Sequence, residues 1–260
     1  MILSIEHSYL GAVFAGEDEG LAVKRYAAEP EDPAASTTLT DLTGSVYLLI
    51  SGPASAQLSA YVFAGPERAV GESGWTAVLA ADGALVSVPL VCRTGDTETV
   101  VLDISPRAEH LIAWLGYVDG ELGANGSFAI EDASELLVPL LLRGPAAADV
   151  LGDYLAEGAA LPGRGACASI ALDDIPVVAI GIADDAWALL VPPPRAQVLW
   201  RSFLSFTQVE PVGLAAAAHV LAAQLPWSSL LEDEGRILAD LGDLAAWGLV
   251  RPHGSFIGKS

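Results

Sequence analysis

The chain has 260 residues, enough for one large domain or two small ones with a substantial core. Hydrophobic residues make up 52% and charged residues 17%, yet every long apolar run is broken by Pro, Arg or Glu well short of the roughly 20 residues that a membrane span needs. Thirty-three acids against 12 bases give a formal charge of −21, a field that repels nucleic-acid backbones and anionic membranes.

In chain order, residues 1–38 open with MILSIEHSYLGAVFAGEDEG, which has early Glu and His and no basic leader, so a cytoplasmic protein is expected. They close with the acidic, Pro- and Ala-rich AEPEDPAAS. A first module is expected over 39–138. The apolar run ending at Gly52-Pro53 reads as a strand, a tight turn and a helix over Ala54 to Val62. Strands follow over Trp75 to Ala80 and Ala84 to Cys92, joined at Asp82-Gly83, and a third covers Thr99 to Asp103. Ser105-Pro106 then starts a helix over Arg107 to Leu115.

A second module is expected over 139–204. LLLRGPAAADV (Leu140 to Val150) repeats LLISGPASAQL (Leu48 to Leu58), and a helix is expected over Ala146 to Leu155. Strands follow over Ala166 to Leu172, Ile175 to Gly181 and Trp187 to Val191, and Pro194 opens a helix through Leu204. PRAEHLIAWL at 106 and PRAQVLWRSF at 194 pair in the same way. The ordered recurrence predicts an α+β fold of tandem duplicated β-α-β-β-β-α modules with pseudo-two-fold symmetry. Residues 205–260 form a C-terminal segment, with a small-residue helix after Gly213 and a charged helix around Leu231 to Leu241.

No metal site is expected. Cys92 and Cys167 lie far apart in apolar runs and read as buried thiols, and the four histidines form no ligand pair.

Several phrases in this order resemble the glycine cleavage T-protein family, the tetrahydrofolate-dependent aminomethyltransferases. They are LTDLTGSVYLLISGPASAQL, WTAVLAADGALV, LLLRGPAAADVL, IGIADDAWALLVPPPRAQVLW, EPVGLAAAAHVLAAQLP and HGSFIGK, spanning roughly residues 36–259. The resemblance implies a folate-binding fold and tetrahydrofolate as cofactor. It also implies a small β-barrel domain after the Phe-Ile-Gly motif, where this chain ends; the expectation is that the barrel is missing. The cysteine of the iron–sulfur-maintenance and tRNA-modification relatives is replaced, which points away from that branch.

The family's functional positions carry over unevenly. Its hairpin ends in a pair of carboxylates, whereas the same stretch here is Gly83-Ala84-Leu85-Val86-Ser87-Val88. The hydroxyl of Ser87 cannot replace a carboxylate in acid–base work or in stabilising an iminium-like cation. An acidic group that reads the pterin corresponds to Asp184, beside Asp185, and a further acid has become Ala188. The family's Ala-Arg-Asp-x-Leu-Arg-x-Glu helix corresponds to Ala216-Ala217-Ala218-His219-Val220-Leu221-Ala222-Ala223, which has lost both arginines and both acids. Without those cations the carboxylates of a folate tail lack counter-charges.

The ligand-binding candidates are therefore Ser87, Asp184, Asp185, Trp75, Trp187 and His219, with no catalytic residue among them. The two tryptophans could stack on a planar ring or simply fill the core. Two readings follow. In one, the chain is a binding or scaffold module with a degenerate folate and catalytic site. Its ligand is then a pterin-like small molecule, a protein partner or a second copy of itself. In the other, it is a tetrahydrofolate-dependent one-carbon or methyl transferase.

Overall fold

The computed structural model describes residues 2–15, 22–123, 126–233 and 235–259. Its elements in chain order begin with α1 (Ser4–Tyr9), β1 (Val13–Phe14), β2 (Val23–Arg25), β3 (Thr37–Asp41), β4 (Val46–Ser51), α2 (Ser55–Val62), β5 (Ser73–Trp75) and β6 (Val78–Leu79). Next come β7 (Leu85–Ser87), β8 (Leu90–Gly95), β9 (Glu98–Asp103), α3 (Ala108–Leu122), β10 (Ala129–Asp132), β11 (Val138–Arg143) and α4 (Ala147–Gly152). The remainder are β12 (Cys167–Leu172), β13 (Ile175–Ala183), β14 (Ala186–Val191), α5 (Pro193–Leu204), β15 (Val209–Pro211), α6 (Leu214–Ala223) and α7 (Leu241–Ala246), with a 3₁₀ turn at Ser228–Glu232.

The chain divides into two compact units, each assembled from two segments: Met1–Ser45 with Ser134–Leu221, and Val46–Ala133 with Ala222–Ser260. The first unit holds a six-stranded sheet in the order β12-β13-β14-β11-β3-β15, in which only the β15–β3 pair is parallel. The second holds an antiparallel five-stranded sheet in the order β10-β4-β9-β8-β5.

Apolar runs end up as central strands because both faces of such a strand are covered. In the first unit β11 (VPLLLR) and β14 (AWALLV) are buried along their whole length. Helix α5 presents Ala196, Leu199, Trp200 and Phe203 at helical spacing to the same core. In the second unit the core forms from β4, β8 and β9 with Leu58, Val62, Leu111, Leu115 and Val118 of α2 and α3.

Each Gly-Pro phrase makes the same turn. Gly52 and Gly144 have φ of 113° and 112°, a region open to glycine and costly for other residues. Gly52 N–H donates to Thr97 O at 3.0 Å, and Gly144 N–H to Asp185 O at 2.8 Å. Thr97 sits in the turn between β8 and β9, and Asp185 in the turn between β13 and β14. A Cβ on Gly52 would lie 2.7 Å from Ser127 O, and one on Gly144 would lie 2.7 Å from Thr37 Cα.

Four expectations need correction. The run Ala84 to Cys92 is not one strand. Pro89 has no N–H for a ladder, and the chain leaves β7 there to start β8 in another sheet. The run Trp75 to Ala80 likewise divides into β5 and β6, because Thr76 N–H bonds to Pro89 O and Ala77 N–H to Leu249 O. The charged helix around Leu231 to Leu241 does not form. Arg107 holds the carbonyls of Asp233 and Gly235 at 2.7 and 2.9 Å, and Leu85 N–H bonds to Ile237 O. The next helix starts only at Leu241, where Asp240 caps Gly242 and Asp243. Helix α3 runs seven residues past the expected end at Leu115, to Leu122.

Candidate functional site

Ser87 closes β7, opposite Val78 of β6. It is fully buried, and its hydroxyl donates to Asp103 Oδ2 at 2.6 Å. Asp103, at the end of β9, also accepts Ser105 N–H on Oδ1 at 2.8 Å. Ser105 Oγ lies 3.3 Å from Ser87 Oγ. Burial pushes the Asp103 carboxyl above its ordinary range, and the hydrogen bonds from Ser87 and Ser105 only partly oppose this. Asp103 is not among the candidates that the sequence offers; there it is the last residue of the expected strand Thr99 to Asp103. The available signal is a carboxylate ending the apolar run Val100 to Leu102.

Trp75 is in the same unit, half-buried at the end of β5, with its ring edge-on to Trp227 at 6.2 Å. Its carbonyl accepts from Arg68 Nη2 at 3.3 Å.

The other candidates belong to the first unit. Asp184 and Asp185 form the turn between β13 and β14. Asp184 is exposed, and Asp185 is partly exposed with its carboxylate 3.7 Å from Arg143 Nη2. Arg143 is buried and donates to Pro33 O at 3.1 Å. Trp187 follows the turn on β14. Its ring belongs to the first unit's core, and Nε1 donates to Pro162 O at 2.8 Å. His219 is exposed on α6, whose Ala217, Val220 and Leu221 are buried. Among the described residues, no hydrogen bond, ion pair or ring contact ties His219 to Asp184, Asp185 or Trp187. Asp184, Asp185 and Trp187 thus share one turn and strand of the first unit, with Asp184 outward and Trp187 in the core, while Ser87 and Trp75 belong to the other unit.

The HGSFIGK motif is structural at its centre. Phe256 enters the core beside Leu244 and Leu249, and Arg251 and Lys259 sit over its ring at 5.0 and 5.2 Å. Among the described residues, no group of three His, Cys, Asp or Glu could hold a metal ion, and no helix is long and apolar enough to cross a membrane.

A family model for the GCVT N-terminal domain matches residues 9–225. The chain belongs to the glycine cleavage T-protein (aminomethyltransferase) family. No curated protein matches it. Among solved structures, the glycine cleavage system aminomethyltransferase T from Bartonella henselae is similar. It has 19% identity and a TM-score of 0.68, over 86% of this chain and 62% of that one. The heterotetrameric sarcosine oxidase from Corynebacterium sp. U-96 aligns with 20% identity and a TM-score of 0.47, over 80% of this chain and 94% of that one. The Bartonella likeness shows a shared fold, and this chain spans just under two thirds of that protein's length.

Proposed function

We propose that this chain is a non-catalytic member of its family, a binding or scaffold module that keeps the fold without the transferase chemistry. The observation that carries this reading is the environment of Ser87. At the position where the family resemblance puts a carboxylate, there is a fully buried hydroxyl already committed to Asp103. Its neighbours Leu85, Val86 and Val88 are buried apolar residues.

Tetrahydrofolate, the cofactor implied by the resemblance, does not fit the candidate residues. The Trp187 indole N–H is spent on Pro162 O, and its ring is in the core. Helix α6 has no Lys or Arg to meet a glutamate tail. Asp184 alone keeps an exposed carboxylate at a position matching the family's pterin-reading acid. No step through folate is derived.

The duplication is part of the same proposal. What supports it is the pairing order: β10-β4-β9-β8-β5 can be laid on β3-β11-β14-β13-β12 strand by strand, with matching Gly-Pro turns. In this reading the modules are 39–138 and 139–204; β3, at the start of the first, joins the sheet of the second, and β10, at the end of the first, takes the equivalent edge of the first module's sheet. The partner of such a module is a protein or a second copy of the chain.

One observation favours the alternative of a folate-dependent one-carbon transferase. Asp103 supplies a carboxylate within hydrogen-bond reach of Ser87. Titration with tetrahydrofolate and 5-formyl-tetrahydrofolate, followed by tryptophan fluorescence and calorimetry, separates the two. No saturable binding at millimolar folate is the expected result. Micromolar binding weakened by Asp184→Ala would overturn the proposal, and its further loss in Asp103→Asn would assign the carboxylate role to Asp103.

A further inference from the structure

The second unit contains a cavity of about 100 Å³ lined from α2, β8 and β9 and by Thr76; of the candidate residues only Trp75, next to Thr76, is close to it. Three of the chain's 12 basic side chains line it: Arg68, Arg93 and Arg251. One acid, Glu67, joins them, so the lining is positive in a protein whose overall charge is −21. A long-range negative field repels anions, and only local cations with low-dielectric walls can reverse that.

The guanidiniums are held in place by main-chain carbonyls. Arg251, nine-tenths buried, donates from Nη1 to Phe63 O and Gly65 O at 2.7 and 2.9 Å, and from Nη2 to Ala60 O and Ser255 O at 2.5 and 2.7 Å. Arg93 Nη1 donates to Arg68 O at 3.1 Å. Among the described residues, the Arg68 side chain makes one hydrogen bond, to Trp75 O, and its guanidinium lies where any side chain on Gly74 would collide with it. Among the described residues, neither Arg68 nor Arg251 forms an ion pair. Burial holds both below the ordinary arginine range, and the nearby carboxylates of Glu72 (for Arg68) and Glu67 (for Arg251) only partly oppose it. Ser59 and Thr99 add hydroxyls to the wall, joined by a long 3.3 Å hydrogen bond that leaves donor capacity to spare.

We propose that this cavity is a binding site for a small oxyanion, a phosphate or a short-chain carboxylate, with Arg68 as its principal ligand. A space of about 100 Å³ has room for one tetrahedral or planar oxyanion. Arg68 brings unspent N–H groups in the fork geometry that suits two anion oxygens. Arg251 and Arg93, already fixed by carbonyls, supply positive potential at no further ordering cost.

The test is calorimetric titration of the full chain with sodium phosphate and, separately, sodium acetate, at constant ionic strength made up with chloride. Saturable binding of one or both is expected, and which of them binds assigns the source of the oxyanion. Arg68→Gln should weaken binding at least about tenfold. Ala56→Glu, which puts a carboxylate on the cavity wall from α2, should abolish it. Both variants are to be compared at unchanged near-UV circular dichroism. Absence of binding by either anion at tens of millimolar would overturn the proposal, as would binding unaffected by either substitution.

Discussion

His7 Nε2 lies 2.9 Å from Asp41 Oδ2, and both side chains are sealed from solvent. The other ring nitrogen, Nδ1, is 2.7 Å from the Tyr26 hydroxyl, and Asp41 Oδ1 takes Thr43 N–H at 2.8 Å. With Asp41 ionised, the consistent assignment is Nε2–H donating to the carboxylate and Tyr26 O–H donating to Nδ1. Every polar atom then has a partner, and the ring stands edge-on to Trp200 at 5.0 Å. One relay thus ties α1 and the chain after β2 to the end of β3.

Removing the middle of that relay leaves Asp41 Oδ2 and the Tyr26 hydroxyl without their buried partner. His7→Ala should cost about 3 kcal/mol, since Asp41 Oδ2 loses a hydrogen bond to a buried charged group and the Tyr26 hydroxyl loses its acceptor. Tyr26→Phe removes one terminal donor and should cost about 1 kcal/mol. Urea unfolding of the single variants and the double variant checks this. The double variant should be less destabilised than the sum of the singles, because the residues form one network.

Two carboxylates should give opposite pH dependences. Glu6 is held below its ordinary value of 4.5, first by its hydrogen bond from Arg201 at 2.7 Å and then by that from Gln197. Its stabilisation is present above that value and is lost as pH falls through the depressed native value. Asp103 is raised above 3.8 by burial. Its stabilisation is full below 3.8 and is lost as pH rises through the elevated native value. Asp103→Asn, neutral throughout, should therefore gain on the wild type as pH goes from 4 to 8. Glu6→Gln should lose most at neutral pH and approach the wild type in acid. Unfolding midpoints across that range measure both.

Gly144→Ala tests the second Gly-Pro turn. Its φ of 112° and the nearness of Ser36 and Thr37 to any added Cβ leave no relaxed position for a side chain. A loss of roughly 2–4 kcal/mol is expected, combining backbone strain with a backbone collision. Gly152→Ala is the control. It meets nothing within 4 Å and has an ordinary φ, so it should be neutral or mildly stabilising in thermal unfolding.

Trp187→Phe removes the indole donor to Pro162 O and part of a core ring. A cost of about 2 kcal/mol is expected in urea unfolding. If Trp187 served a ligand and not the core, stability would barely change.

The local chemistry of the turns was legible in the chain. Gly-Pro followed by small residues can hardly do anything except turn and start a helix, so α2 and α4 are found close to where the sequence placed them. Continuous apolar runs such as Ala186–Val191 and Pro193–Leu204 with its helical spacing read equally well. The family could also be read, because six ordered phrases survive, each too short to identify it alone. Tertiary structure decided everything that depends on a partner distant in sequence. Arg107, reaching 126 and 128 residues along the chain to Asp233 and Gly235, kept the segment after Glu232 from continuing as a helix. The pairing of β3 with β11 and of β10 with β4 rests on long-range hydrogen bonds that no local propensity encodes. The same is true of the polar clusters. His7 finds Asp41 34 residues away, Ser87 finds Asp103 16 away, and Arg251 meets α2's C-terminal carbonyl of Ala60 191 away. A hydrogen bond carries no sequence signature until the fold brings its two ends within 3 Å, so these sites became visible only in three dimensions.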